Sequence, residues 1–108
     1  MTTDEKVKLA RRIEEKLVGI TASEWSKWRA YAQREGLKKA LHFAQVIQNS
    51  PSLRPGPKQS YRTIARVVAM FQKQLESLSS ADVAEILGYT GRWIVARRIA
   101  KNEGRNRR

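Results

Sequence analysis

Apolar residues recur three and four positions apart along most of the chain, and nowhere do they alternate long enough to make a strand. Leu9, Ile13 and Leu17 fall four apart, which predicts a first helix. Thr2 or Thr3 opens it, with Glu5 spaced to close a capping box on Thr2, and Gly19 ends it. Thr21 and Glu24 repeat the capping-box spacing, so a second helix runs from there to Gly36 with Trp25, Trp28 and Ala32 on its inner face. A third, LKKALHFAQVIQN, turns Leu37, Ala40, Leu41, Ala44 and Ile47 inward and Lys38, His42, Gln45 and Asn49 outward. All three prolines and Gly56 then fall within residues 50–59, which reads as a connector because proline removes donors and biases the preceding residue away from helix. The clearest pattern follows over residues 60–78, where Tyr61, Ile64, Val68, Phe71, Leu75 and Leu78 step by threes and fours. Arg62, Arg66 and Lys73 neighbour one another on its outer side.

Beyond residue 78 the pattern changes. Ser79 and Asp82 have capping spacing, Ser80 is a second cap, and ADVAEIL reads as a short helix terminated by Gly88. Tyr89 would lie in a turn and Thr90 would open another helix. Ala84, Gly88 and Ile94 have the spacing of a helix-turn-helix, supported by Val83 and Leu87. On these residues, ADVAEILGYTGRWI resembles the helix-turn-helix of bacterial transposases and homeodomain-like regulators, in which an AxxLGY(S/T)xxW(V/I) run is common. The resemblance covers residues 79–103 and none of the first three helices. It implies that Thr90, Gly91 and Arg92 approach a phosphate and base edges in the major groove of duplex DNA. Two features depart from it. Arg97 stands where the family buries an apolar side chain, and Val95, Ala96 and Ile99, which that register would turn toward DNA, are apolar. By periodicity Val95, Ala96, Ile99 and Ala100 share one face and Arg97, Arg98 and Lys101 the other. Either this helix is rotated relative to the family or its apolar side meets another helix or a second subunit.

Charge strengthens the nucleic-acid reading. Among 108 residues, 22 Lys and Arg oppose 10 Asp and Glu, a formal +12 that favours a polyanionic partner. Arg97, Arg98, Lys101, Arg105, Arg107 and Arg108 make the last helix and the tail, residues 104–108, a basic arm suited to phosphates. The expected architecture is one all-α domain of five to six helices. It comprises three N-terminal helices in 1–49, the connector 50–59, a central helix 60–78, the helix-turn-helix 79–103 and the tail.

Little points to chemistry. There is no cysteine, His42 is the only histidine, and a metal site would lack its ligand set. Glu14 and Glu15 are adjacent and diverge on a helix, and neither a phosphate loop nor a nucleophile elbow is present. The expectation is a non-enzymatic protein with no cofactor and no metal. Trp25, Trp28 and Tyr31 have core spacing rather than that of a base-stacking platform. MTTDEKVK is polar and acidic, unlike a secretion signal, and no apolar run could span a bilayer, so the expected setting is cytoplasmic and nucleoid-associated, away from membrane.

These features predict a duplex-DNA-binding regulator or mobile-element accessory protein, as a homodimer or with a protein partner. A rival reading rests on REGLKKALHF, which resembles the GLxxxLxF stretch in the small helical subunits of type III CRISPR effector complexes. That resemblance implies a basic RNA-binding subunit of a ribonucleoprotein, reading shape rather than sequence. A helical protein-interaction adaptor is the third.

Overall fold

Threonine caps start the first two helices. The computed structural model describes residues 1–52 and 54–106, with side chains in the last helix described through Lys101. In α1 (Thr3–Lys16), the Thr2 hydroxyl accepts from the Glu5 amide at 3.2 Å and the Glu5 carboxylate accepts from the Thr2 amide at 3.1 Å. Thr21 and Glu24 make the same reciprocal pair at 3.1 and 3.0 Å ahead of α2 (Ala22–Glu35). Each box satisfies two of the donors that a helix start leaves orphaned. Gly36, at φ 94°, then turns the chain directly into α3 (Leu37–Ile47), a conformation that a side chain would strain.

The fourth helix begins earlier than expected. α4 spans Pro55–Glu76, so half of the proposed 50–59 connector is its first turn. Proline belongs there: its fixed φ suits the helix, and the amide hydrogen it lacks would have had no intrahelical acceptor. Ile64, Val68, Phe71 and Leu75 are buried, as the periodicity predicts, and Val67 joins them; Tyr61 is only partly buried, and Leu78 lies beyond the helix and is partly buried too.

The larger correction concerns residues 79–103. The expected helix-turn-helix is not formed; α5 runs unbroken from Ser80 to Asn106. Ser79 does cap it, its hydroxyl accepting from the Asp82 amide at 3.1 Å. Gly88 does not take a left-handed conformation; positive φ occurs only at Gly19 and Gly36 among the described residues. The reason lies in the inner face. Ile86, Leu87, Thr90 and Ile94 are all buried and step as one continuous helical stripe. Thr90 is wholly buried and donates to the Ile86 carbonyl at 2.8 Å, one turn back, so the hydroxyl that looked like a cap serves the helix interior instead. A polar residue inside an apolar stripe and two glycines beside it made one helix read as two.

Packing follows from these faces. α5 lies mainly against α1 and then α2, and α3 packs between α2 and α4. The molecule is a slab of 44 × 42 × 21 Å. Its thickness is about two helix diameters. The core centres on Trp25 and Trp28, tilted against one another at 5.2 Å between ring centroids. Each indole donates a 2.9 Å hydrogen bond, Trp25 to the Leu87 carbonyl and Trp28 to the Ala40 carbonyl. Both rings are spent on the core, as their spacing predicts. Among the described residues, no helix is long and apolar enough to cross a membrane.

Candidate nucleic-acid interface

The residues predicted to meet DNA divide into two sets with different surroundings. Thr90 is sealed against α1 and has no access to a phosphate. Gly91 is half-buried at the groove between α2 and α5, where a Cβ on it would stand 3.3 Å from Cδ1 of Trp25.

Arg97 is also occupied. It pairs with the Glu14 carboxylate at 3.2 Å and donates to the Leu17 carbonyl at 3.2 Å, with a longer contact to the Glu14 carbonyl at 3.5 Å. The Glu14 carbonyl, which also accepts from the Leu17 amide, and the Leu17 carbonyl lie at the C-terminal end of α1, where a cation is favoured by the helix dipole. The apolar position of the resembled family is thus filled by a clasp between α5 and α1. Trp93 reinforces it by donating to the Val7 carbonyl at 3.3 Å, with Arg11 lying over its ring at 4.5 Å.

Arg92, Arg98 and Lys101 are the members of the predicted set that stand exposed. Arg105, Arg107 and Arg108 lie outside the described side chains. The helix therefore offers a short cationic edge, and its N-terminus does not point outward at the place expected, because that place is mid-helix.

Sequence periodicity had placed Arg62, Arg66 and Lys73 on the outside of α4, and they are exposed there in one stripe about 16 Å long, with Met70 between them. A second stripe, Lys8, Arg12 and Lys16, steps by four along α1. Arg12 joins the two helices, its guanidinium 5.6 Å from the centre of the Phe71 ring of α4. Lys38 and Lys39 stand exposed on α3, and Lys39 is 3.9 Å from Glu35. The α1 stripe was missed by sequence reasoning, although the i, i+4, i+8 spacing of its basic residues is visible without a structure.

Acidic side chains are largely consumed within the fold. Glu5 and Glu24 close capping boxes, Glu24 also accepts from the Ser60 hydroxyl, Glu14 binds Arg97, and Glu15 pairs with Arg11. Asp82 and Glu85 both hold Lys6, at 2.9 and 3.1 Å. The hydrogen bond to Asp82, then that to Glu85, raises the Lys6 pKa, while the Lys6 hydrogen bond lowers that of Asp82. At Glu24 burial pushes the carboxyl up, but the hydrogen bonds from Ser60 and Thr21 outweigh it and the pKa is lowered. With the acids turned to internal partners, the cationic excess is left to the surface. Its field covers several helices rather than one reading head.

Among the described residues, no group of three or more His, Cys, Asp or Glu could hold a metal ion, and every buried side-chain polar atom has a partner. Comparison with protein-family models, with curated proteins and with solved structures finds no match for this chain.

Proposed function

We propose that this protein is a non-enzymatic, basic helical subunit of a ribonucleoprotein, which holds RNA by its phosphate backbone along dispersed cationic faces. The observation that carries the reading is the exposed pair of stripes, Lys8–Arg12–Lys16 on α1 and Arg62–Arg66–Lys73 on α4, linked by Arg12 across Phe71. Rows of point charges on rigid helices suit a strand whose charge is regularly spaced, and they carry no base-specific geometry. The burial of Thr90, the close approach of Gly91 to Trp25 and the engagement of Arg97 with the end of α1 speak against the major-groove reading and so raise this one. The resemblance of REGLKKALHF to small subunits of type III CRISPR effectors agrees with it, and a cytoplasmic setting would follow.

The test is a fluorescence-anisotropy titration of labelled single-stranded RNA, an RNA duplex and a DNA duplex over a salt series. Wild type is compared with Arg62→Ala/Arg66→Ala/Lys73→Ala and with Arg92→Ala/Arg98→Ala. Neutralising about five phosphates of a single strand gives a log–log salt slope near −3.5. The expected result is RNA affinity at least equal to that for DNA, with each variant losing part of it. Preference for duplex DNA, abolished by the Arg92/Arg98 changes and untouched by the α4 changes, would overturn the proposal.

A further inference from the structure

The second half of α5 carries an apolar face that none of the described residues covers. Val95 and Ile99 are 42% and 53% exposed. They continue a line that begins at Ala84 and Gly88, with Gly91 and Arg92 between, so steps of four and three repeat for about 22 Å of helix. Heptad-like spacing of this kind is what keeps a seam facing one partner helix.

The first part of that line is the floor of a groove between α2 and α5, of about 700 Å³, walled by Trp25 and Arg29 from α2 and by Arg92 and Val95 from α5. Glycine determines its depth. A Cβ on Gly88 would come within 3.3 Å of the Arg29 guanidinium, and one on Gly91 within 3.3 Å of the Trp25 ring. Two glycines in a helix interior cost about 1 kcal/mol each relative to alanine. Contact with Trp25 accounts for Gly91; the Gly88 side stays open.

We propose that this groove and the exposed face beyond it dock an amphipathic helix with acidic flanks, supplied by a partner protein. The apolar floor selects a helix with its own apolar stripe, in the helix-in-groove mode. Charge selects the flanks. Arg29 and Arg92 stand at the rim and Arg98 beside Ile99, while the one carboxylate on the groove wall, Glu85, is held by Lys6. A second copy of this chain, at +12, would bring like charge against like. The groove is separate from the cationic stripes of α1 and α4; it shares Arg92 and Arg98 with the RNA reading, so it is tested without nucleic acid and through Val95 and Ile99, which that reading does not use.

The probe is a fluorescein-labelled synthetic peptide of about three heptads, with leucine at the a and d positions and glutamate at e and g. It is titrated without nucleic acid, beside a scrambled peptide of the same composition and a version with lysine for glutamate. Wild type should bind the glutamate heptad peptide at least 10-fold more tightly than either control. Val95→Glu/Ile99→Glu, both at exposed positions, should lose at least 10-fold while its helical circular dichroism and melting temperature stay unchanged. Arg29→Glu/Arg92→Glu should shift preference toward the lysine peptide. Equal binding of the scrambled peptide, or indifference to the Val95 and Ile99 changes, overturns the proposal. So does sedimentation showing a wild-type dimer that those changes make monomeric, since the occupant would then be a second copy.

Discussion

The two halves of α5 both carry small and branched apolar residues, but the first has one basic residue, Arg92, where the second is rich in arginine and lysine, and their circumstances are opposite. From Ser80 to Ile94 the helix buries Ile86, Leu87, Thr90 and Ile94 between α1 and α2, and its one exposed arginine, Arg92, lies 5.6 Å over the Tyr89 ring. From Val95 onward every described residue except Arg97 is exposed, valine and isoleucine included. Residue type alone therefore does not sort structural from interacting positions in this helix. What sorts them is whether another helix lies underneath. If the first half is a strut, its changes should register as stability; if the second half is an interaction surface, its changes should leave stability alone and register as binding.

Trp25→Ala should produce the largest effect on the strut. The indole is fully buried, supports Gly91 and donates to the Leu87 carbonyl, so its removal leaves a cavity and an unfilled contact under the middle of α5. A loss of about 3–5 kcal/mol is expected from urea denaturation. Val95→Ala, one turn beyond, should stay within about 0.5 kcal/mol. Comparable losses at the two positions would erase the distinction between the halves.

The junction gives the next largest effect, from adjacent arginines. Arg97→Ala leaves the Glu14 carboxylate, whose side chain is only 7% exposed, without its ion pair, and removes the Arg97 donor from the Leu17 carbonyl. Because Arg97 itself is 39% exposed, the expected cost is about 2 kcal/mol rather than the full value for a buried pair. Arg98→Ala should cost less than about 0.5 kcal/mol. A thermal melt of each variant reads the contrast. RNA affinity should order them otherwise, with the Arg98 change, measured on protein that remains folded, lowering it.

Acid should weaken both the attachment of α5 to α1 at Asp82 and the contact of Glu24 with Ser60 of α4. Asp82 and Glu24 have lowered pKa values, so their stabilising contribution is fully present above the ordinary carboxylate range and is lost as pH falls through the depressed values, below about pH 4. Lys6 has a raised pKa, so its share is complete below the ordinary lysine range and disappears only at strongly alkaline pH. Stability measured from pH 7 down to pH 3 should therefore decline. Lys6→Met should flatten the part due to Asp82, while Ser60→Ala should flatten the part due to Glu24. An unchanged acid limb in Lys6→Met would detach Asp82 from any role in holding α5.

Much of the fold was legible in sequence because apolar spacing and cap chemistry agreed. Thr2–Glu5 and Thr21–Glu24 carry both signals, and α1, α2 and α3 start where those signals put them. The start of α4 was misplaced because proline marks a break by itself but is also favoured in a first helical turn, and only the chain before Pro55 decides between the two. In α5 the local signals pointed to a turn. Gly88 followed by Tyr89 and Thr90 has the chemistry of a terminator and a cap, and the contacts that override it come from Ala10 and Trp25, far away in sequence. The site was legible to a similar degree. Exposure of Arg62, Arg66 and Lys73 followed from periodicity, whereas the clasp at Arg97 depended on where α1 ends in space.

Gly88→Ala has the smallest expected effect and the most informative sign. In a helix-turn-helix the turn glycine holds positive φ, and alanine there destabilises the fold by more than about 1 kcal/mol. In the unbroken helix, alanine removes the conformational freedom that glycine brings to the unfolded chain and suits the helix interior better, a gain of about 0.4–1 kcal/mol. Against that gain stands one contact at 3.3 Å, with the end of the Arg29 side chain, which is flexible and only partly buried and can yield by a few tenths of an ångström. A raised melting temperature is therefore expected. The same methyl group would begin to fill the groove between α2 and α5, so the stabilised variant should bind the glutamate heptad peptide more weakly than wild type. A lowered melting temperature would restore the turn and, with it, the division of α5 into two helices.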